Sequence, residues 1–170
     1  MDAENDYPNA EADALESWPP GLEDLLELCR ELNRLEARYV VVGGFAIRAA
    51  GYPRETMDIN LVIATDLENE GRVYRALEIL PDKAVRELKP GEVEQYIAVR
   101  VGDEVTVDLM RSAAGIRYEE AACEIDWHEV GGVPIPFASP KLFWRMKVHT
   151  HREKDAGDLV FLARIFCRAR

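Results

Sequence analysis

The 170-residue chain has few cysteines, no long apolar run and no excess of positive charge. Its three cysteines lie far apart without a CxxC pair, which argues against a disulfide framework and predicts reduced, buried thiols. No apolar run approaches the roughly 20 residues that a membrane helix requires. The first residues lack a basic start and an apolar core, so we expect no secretory signal. These absences predict a cytoplasmic protein without a membrane partner.

The net charge of −11 argues against a protein that coats duplex DNA by bulk electrostatics. The charge is uneven, because residues 141–154 contain five basic residues and one acid. A local basic face in an acidic protein suits a small polyanion, although a solvated helix face is an equally open interpretation. Residues 1–20 are acidic and poor in large apolar groups, which predicts a flexible tail. One domain over residues 21–170 is expected to follow it.

Hydrophobic periodicity predicts an α+β fold, with helices and strands in one mixed α/β domain. Helices are predicted over residues 22–35, 45–50, 67–80, 140–149 and 155–167. Strands are predicted over residues 39–42, 58–63, 94–100 and 104–110, and as a pair within residues 126–137. Gly102-Asp103 is a hairpin signal between two of these strands. Ser139-Pro140 is a helix-start signal, and Val160 belongs to the apolar stripe predicted for the last helix.

Three features of the sequence point to chemistry. Gly43-Gly44 joins a strand to a helix, where glycine lets the backbone approach a ligand and N–H groups face a phosphate. Asp58 and Asn60 share one face of the next strand and suit a hard cation such as Mg²⁺. Asp108, on a neighbouring strand, would complete a carboxylate cluster for two metal ions about 4 Å apart. Taken singly, these features also fit a tight turn, an exposed polar pair and a strand-end acid.

These motifs together resemble a known family. The residues that carry the resemblance are Gly43-Gly44-Phe45-Ala46, Gly51 and the run from Arg54 to Leu61. They are similar to the GG-x-A…hG-x-x-R-x-T-x-D-I-D-L signature of the AbiEii-like branch of the nucleotidyltransferase (polymerase β) superfamily, which includes toxins of bacterial toxin–antitoxin pairs. The likeness continues more loosely through Ser139-Pro140, Lys147 and residues 152–159. It implies a mixed β-sheet flanked by helices, with a C-terminal helical segment.

The resemblance implies an activity and residue roles. The activity is transfer of a nucleoside monophosphate from an NTP such as ATP, with Mg²⁺ or Mn²⁺, to a hydroxyl of a tRNA or other RNA, a protein or a small molecule. The implied metal ligands and catalytic residues are Asp58, Asn60 and Asp108, the last activating the acceptor hydroxyl. The implied nucleotide-binding residues are Gly43, Gly44, Lys147 and Lys154, with Arg54 and Thr56 bracing the loop or touching phosphate, and Asp155 and Asp158 orienting the bases or contacting the nucleotide. An antitoxin or regulator is the implied partner protein.

Asn60 departs from the family pattern, which has Asp at this position. An amide oxygen ligates Mg²⁺ but brings no charge and does not bridge two metals as a carboxylate does. We therefore expect catalysis to lose about two decades or more. Three interpretations stay open: a degenerate protein that binds without transfer, an engineered Asp→Asn substitution, and a site that works with fewer carboxylates. The alternative to an enzyme is a catalytically inactive module that binds a nucleotide or a partner protein.

Overall fold

A six-stranded mixed sheet lies at the centre of the structure, a computed structural model that describes residues 17–169. Its strands are β1 Tyr39–Val42, β2 Ile59–Ile63, β3 Ala98–Gly102, β4 Thr106–Met110, β7 Ile125–Val130 and β8 Val133–Ala138. They follow the order β3-β4-β2-β1-β8-β7. A separate hairpin pairs β5 Ser112–Ala113 with β6 Ile116–Arg117. Pairs β2–β4 and β1–β8 are parallel and the other neighbours are antiparallel, so the sheet is mixed.

Helices cover this sheet. They are α1 Leu22–Arg34, α2 Gly43–Ala49, α3 Leu67–Leu77, α4 Glu92–Tyr96, α5 Tyr118–Ala121, α6 Pro140–Lys147 and α7 Glu153–Arg168, with short 3₁₀ turns at Ala84–Glu87 and Ala122–Glu124. Helix α1 packs against α3 and β8, α2 packs against β1, β2 and β8, and α7 packs against α6. No helix among residues 17–169 is both long enough and apolar enough to cross a membrane.

Burial of apolar side chains in the core explains why these segments form a helix and a strand. Helix α1 places Leu25, Leu28 and Leu32 on one face at helical spacing, and all three are buried. Each such leucine contributes about 1.5–3 kcal/mol relative to an exposed position. Every residue of β1 is buried, as a strand covered on both faces requires. Gly43 and Gly44, which we call the glycine turn, follow β1 directly and are thereby fixed to the rigid centre of the sheet.

Directly paired residues on four neighbouring strands position the candidate site. Val42 at the end of β1 lies opposite Asn60 in β2. Asn60 lies opposite Asp108 in β4, and Asp108 lies opposite Arg100 in β3. The end of β1, where α2 begins, therefore meets the first residues of β2 and the middle of β4.

The α+β class and the mixed sheet with flanking helices are confirmed, but the strand predicted over residues 94–100 is wrong in its first half. Residues Glu92–Tyr96 form α4, which begins after Gly91 with φ +88°. Ile97, with φ +69°, then turns the chain into β3. The hairpin β5–β6 and helix α5 were not predicted, and α3 ends at Leu77, three residues before the predicted end.

Three side chains that were predicted to be buried are exposed in the structure. Cys29 is buried as expected, but Cys123 and Cys167 are exposed. Val160 in α7 is exposed, whereas Leu162 of the same helix is buried and Phe166 packs against the core while partly exposed. All three thiols are unpaired.

The predicted flexible tail lies mostly outside the described residues. Its last part is described and contacts the β3–β4 turn. The Ser17 hydroxyl donates a hydrogen bond to the Asp103 carbonyl (2.8 Å), and the Trp18 N–H donates to the Glu104 carbonyl (2.7 Å).

Candidate functional site

A cavity of about 600 Å³ opens at the end of β1. The glycine turn and the starts of β2 and β4 form one side, and the loop of residues 54–58 forms another. The end of α6 and the start of α7 close the cavity with basic side chains, and the β5–β6 turn completes the rim. This arrangement brings most of the residues implicated by the sequence into a single space.

The glycine turn is built so that no side chain fits there. Gly43 has φ +68°, a left-handed conformation that favours glycine, and a Cβ at this position would lie 2.7 Å from Asn60 Nδ2. A Cβ at Gly44 would lie 2.6 Å from Thr56 Oγ1. Thr56 is buried, and its hydroxyl donates to the Asp58 carbonyl (2.8 Å). Thr56 thus packs against the turn from within the loop, and its implied role in bracing the loop or touching phosphate stays a prediction.

Asp58 and Asn60 lie side by side, as their alternation on one strand predicts. Asn60 Nδ2 donates a hydrogen bond to Asp58 Oδ1 at 2.7 Å. Asp108 faces the same space from the neighbouring strand, and all three residues line the cavity. The three predicted metal ligands are thus brought together in the cavity, and we call Asp58, Asn60 and Asp108 the carboxylate row.

Arg100 contacts two members of the carboxylate row and was not predicted as a site residue. Its Nε donates to Asp108 Oδ1 (2.8 Å) and its Nη2 donates to Asp108 Oδ2 (3.0 Å). The same Nη2 also reaches Asp58 Oδ2 at 3.3 Å. Hydrogen bonding to Asp108 raises the pKa of Arg100, and its attraction to the Asp108 and Asp58 carboxylates adds to this. One guanidinium therefore bridges two of the three residues implicated in metal binding.

Basic side chains from the loop of residues 54–58 and from the ends of α6 and α7 also line the cavity. Arg54, Lys147, Arg152 and Lys154 line it, and we call these four residues the basic wall. Arg152 belongs to the basic run and to the segment that resembles the family, but it was not predicted as a site residue. The basic wall has net positive charge in an acidic protein, so it suits a compact anion such as a triphosphate.

Two buried carboxylates each pair with one residue of the basic wall. Asp158 forms an ion pair with Arg54, and Lys147 Nζ lies 3.2 Å from Asp155 Oδ1. The side chains of both acids are only 1% exposed, and neither lines the cavity. Of the two roles implied by the sequence, their placement fits orientation of the bases rather than contact with a nucleotide.

Burial and charge set the acidity of these two carboxyls. Burial raises the pKa of Asp158 against the opposing effect of Arg54. Burial also acts to raise the pKa of Asp155, but the Thr150 hydroxyl and the Lys147 ammonium outweigh it and lower that pKa. The Thr150 hydroxyl donates to Asp155 Oδ2 at 2.7 Å. Asp155 is therefore a permanent negative partner for Lys147 at neutral pH.

The row fits one divalent cation better than two. Asp58 and Asp108 offer carboxylate oxygens, and the Asn60 amide offers a third oxygen after turning away from Asp58. Among residues 17–169, no group of three Asp, Glu, His or Cys side chains is placed to hold a metal ion. An amide does not bridge two metals, so the donor set suits a single Mg²⁺ or Mn²⁺.

Comparison with known proteins defines the fold. No family model matches the sequence, and a comparison with curated proteins gives no match either. A proposed nucleotidyltransferase of Thermotoga maritima, TM1012, matches with a TM-score of 0.54 at 20% identity, covering 88% of this chain and 93% of its own. The lincosamide antibiotic adenylyltransferase LnuA, solved with lincomycin bound, matches with a TM-score of 0.59 at 14% identity over 86% and 98%. An antigenic nucleotidyltransferase-like protein of Paracoccidioides brasiliensis matches with a TM-score of 0.53 at 18% identity over 87% and 79%. At these identities the likeness establishes the fold, which is that of nucleotidyltransferases.

Proposed function

We propose that this chain binds a nucleoside triphosphate such as ATP and transfers its nucleoside monophosphate to a hydroxyl group, with Mg²⁺ or Mn²⁺ as cofactor. The observation that carries the proposal is the convergence in one cavity of the glycine turn, the row of Asp58, Asn60 and Asp108, and the basic wall. The fold supports it, since one structural neighbour is described as an antibiotic adenylyltransferase.

The residues divide the work between binding and chemistry. The basic wall binds the triphosphate, and its two best-fixed members are Lys147 and Arg54, each held by a buried carboxylate. Gly43 and Gly44 line the cavity, so phosphate oxygens there can approach the backbone of the turn. Pre-positioned charges of this kind stabilise a transition state without reorganisation during the reaction.

The chemical step follows from the placement of the row. The acceptor hydroxyl attacks the α-phosphorus, the bond to the bridging oxygen of pyrophosphate breaks, and pyrophosphate leaves. Asp108 takes the proton from the hydroxyl. Asp58, Asp108 and the Asn60 oxygen would hold the cation, which when bound neutralises phosphate charge and favours ionisation of the hydroxyl. Because Asn60 brings no charge, we expect turnover about two decades slower than with Asp at this position.

The finer assignment rests on the motif resemblance over residues 43–61. From it we propose that the chain belongs to the AbiEii-like branch and is a cytoplasmic component of a toxin–antitoxin pair, with an antitoxin or regulator as its partner. The acceptor in this proposal is a hydroxyl of an RNA such as tRNA, of a protein or of a small molecule. A gene for a small regulator directly beside this one would support the pairing.

Transfer of label from α-³²P-labelled NTPs tests the proposed activity. The chain, Asn60→Asp and the inactive control Asp58→Ala are incubated with Mg²⁺ and with tRNA, protein and small-molecule fractions of a host lysate. We expect slow labelling by the chain, labelling about 100-fold faster by Asn60→Asp, and none by Asp58→Ala. Absence of labelling by both the chain and Asn60→Asp would refute the activity.

A second candidate is a module that binds a nucleotide or a partner protein without turnover. The observation that favours it is that Asn60 and Arg100 hydrogen-bond to Asp58 and Asp108, so the protein itself satisfies the two carboxylates. This candidate predicts nucleotide binding by the chain with no labelled product in the same assay. Rapid transfer by the unaltered chain would exclude it.

A further inference from the structure

We propose that Arg100 is an internal counter-cation of Asp58 and Asp108, which competes with the divalent cation and leaves the site to be loaded by the metal–nucleotide complex rather than by free metal. This inference rests on the proposed function, because it concerns how the same cavity takes up its cofactor. It assigns a positioning role to a residue that no motif marks.

The contacts of Arg100 carry the first step of the argument. Its guanidinium donates to both oxygens of Asp108 and to Oδ2 of Asp58. Asn60 donates to the remaining oxygen, Oδ1 of Asp58. All four oxygens of the two carboxylates thus accept hydrogen bonds from the protein. A cation that binds between them must displace the guanidinium and turn the amide.

The register of the sheet makes this arrangement a built feature. Arg100 lies directly opposite Asp108 on β3 and β4, and Asp108 lies directly opposite Asn60 on β4 and β2. Directly opposed side chains on neighbouring strands lie within contact distance. The fork of Arg100 meets the Asp108 carboxylate with two donors, a geometry that lysine cannot reproduce.

Charge gives the consequence for metal binding. The row carries two negative charges, and Arg100 leaves it with one. A row with Asp at position 60 and no arginine would carry three. Asn60 and Arg100 therefore change the local charge in the same direction, and both weaken the attraction for a free divalent cation.

Exposure makes the competition reversible. The Arg100 side chain is 65% exposed, so its ion pairs are screened and the guanidinium reaches water at little cost. A triphosphate on the basic wall would bring negative charge to the metal and restore the attraction that the row lacks. We therefore expect weak binding of free metal and much stronger binding in the presence of NTP.

Binding of Mn²⁺ without nucleotide, measured by the EPR signal of the free ion, tests the proposal. Arg100→Gln removes the guanidinium, and Arg30→Gln makes the same charge change at an exposed position of α1 outside the cavity. We expect Arg100→Gln to bind Mn²⁺ about tenfold more tightly than the unaltered chain, because a cation is removed within contact of the ligands. Arg30→Gln should bind as the unaltered chain does. Equal affinities for both variants would overturn the proposal.

A measurement on the unaltered chain keeps the test valid if Arg100→Gln fails to fold. In an NMR titration, the Nε–H resonance of Arg100 is assigned by its loss in Arg100→Lys. Diamagnetic Mg²⁺ takes the place of Mn²⁺ in this experiment. We expect the resonance to shift when Mg²⁺ and NTP are added together. A resonance that Mg²⁺–NTP leaves unmoved would contradict displacement.

The two proposals fail separately. If NTP does not bind but Mn²⁺ affinity rises in Arg100→Gln, the role of Arg100 as counter-cation stands, while loading by the metal–nucleotide complex and the proposed transfer both fall. If NTP binds and is turned over but Mn²⁺ affinity is unchanged, the transfer stands and the role of Arg100 falls.

Discussion

Replacement of Gly43 by alanine tests the geometry on which the site depends. The residue has φ +68°, where alanine costs about 1–2 kcal/mol more than glycine. The new methyl group would also lie 2.7 Å from Asn60 Nδ2 and 3.1 Å from Asn60 Cβ, so the amide must move away from Asp58. Loss of that hydrogen bond to a charged group adds about 1 kcal/mol or more. We expect the free energy of unfolding to fall by about 2–3 kcal/mol in total.

Urea unfolding followed by circular dichroism measures this loss, with Gly71→Ala as the matched control. Gly71 lies inside α3, and a Cβ there meets no atom within 4 Å. Alanine at this helical position should stabilise the protein by up to about 1 kcal/mol. A Gly43→Ala protein as stable as Gly71→Ala would refute the tight packing of the turn against β2.

Three further predictions concern stability and reactivity. Burial raises the pKa of Cys29 to about 12, so a thiol reagent at neutral pH should modify the two exposed cysteines within minutes and Cys29 only on unfolding; modification of all three at one rate would contradict this. Burial raises the pKa of Asp158, so the folded protein binds a proton more tightly there than the unfolded chain does, and stability should fall as pH rises from the ordinary aspartate pKa through the raised one. Asp158→Asn should remove this part of the pH dependence in urea titrations at several pH values, and an unchanged profile would count against it. The Ser139 hydroxyl accepts from Leu142 N–H at 3.1 Å as the cap of α6, so Ser139→Ala should lower the free energy of unfolding by about 1 kcal/mol, whereas no change in the urea midpoint would deny the cap.

Local patterns predicted much of the fold because they report burial directly. The buried run at residues 39–42 and the alternation after Asp58 both gave strands that the structure has. Residues 92–97 show why other parts failed. The run of residues 94–100 was predicted as a strand, but Gly91 at φ +88° starts a helical turn that takes up residues 94–96 and buries Val93. Tertiary packing determines whether such short segments form helix or strand, and the local sequence does not reveal that packing.

The parts of the site whose residues are near in sequence could be predicted. The position of Arg100 could not, because it depends on the pairing register of β3 and β4. Gly43 and Asn60 were brought together as the motif implied. Arg100 was missed because Gly102-Asp103 suggested a two-residue turn, which would place Arg100 opposite Val105. In the structure Gly102 pairs with Thr106, so the turn is longer and Arg100 lies opposite Asp108.

A buried side chain explains the longer turn. Asp103 is buried, and its carboxylate accepts hydrogen bonds from the N–H groups of Asp82, Ala84 and Glu104. These contacts tie the turn to the segment after α3. Neither their partners nor their number can be obtained from the local pattern, so the register of β3 and β4 required the structure.

Calorimetric titration of an NTP with Mg²⁺ tests the central claim, that the basic wall and the carboxylate row form one nucleotide site. Lys147 lines the cavity and pairs with Asp155, whereas Lys141 is exposed on the same helix outside it. We predict that the chain binds the NTP, that Lys147→Ala weakens binding about tenfold or more, and that Lys141→Ala leaves it unchanged. Absence of binding by the unaltered chain, or equal affinities of the two lysine variants, would contradict the claim.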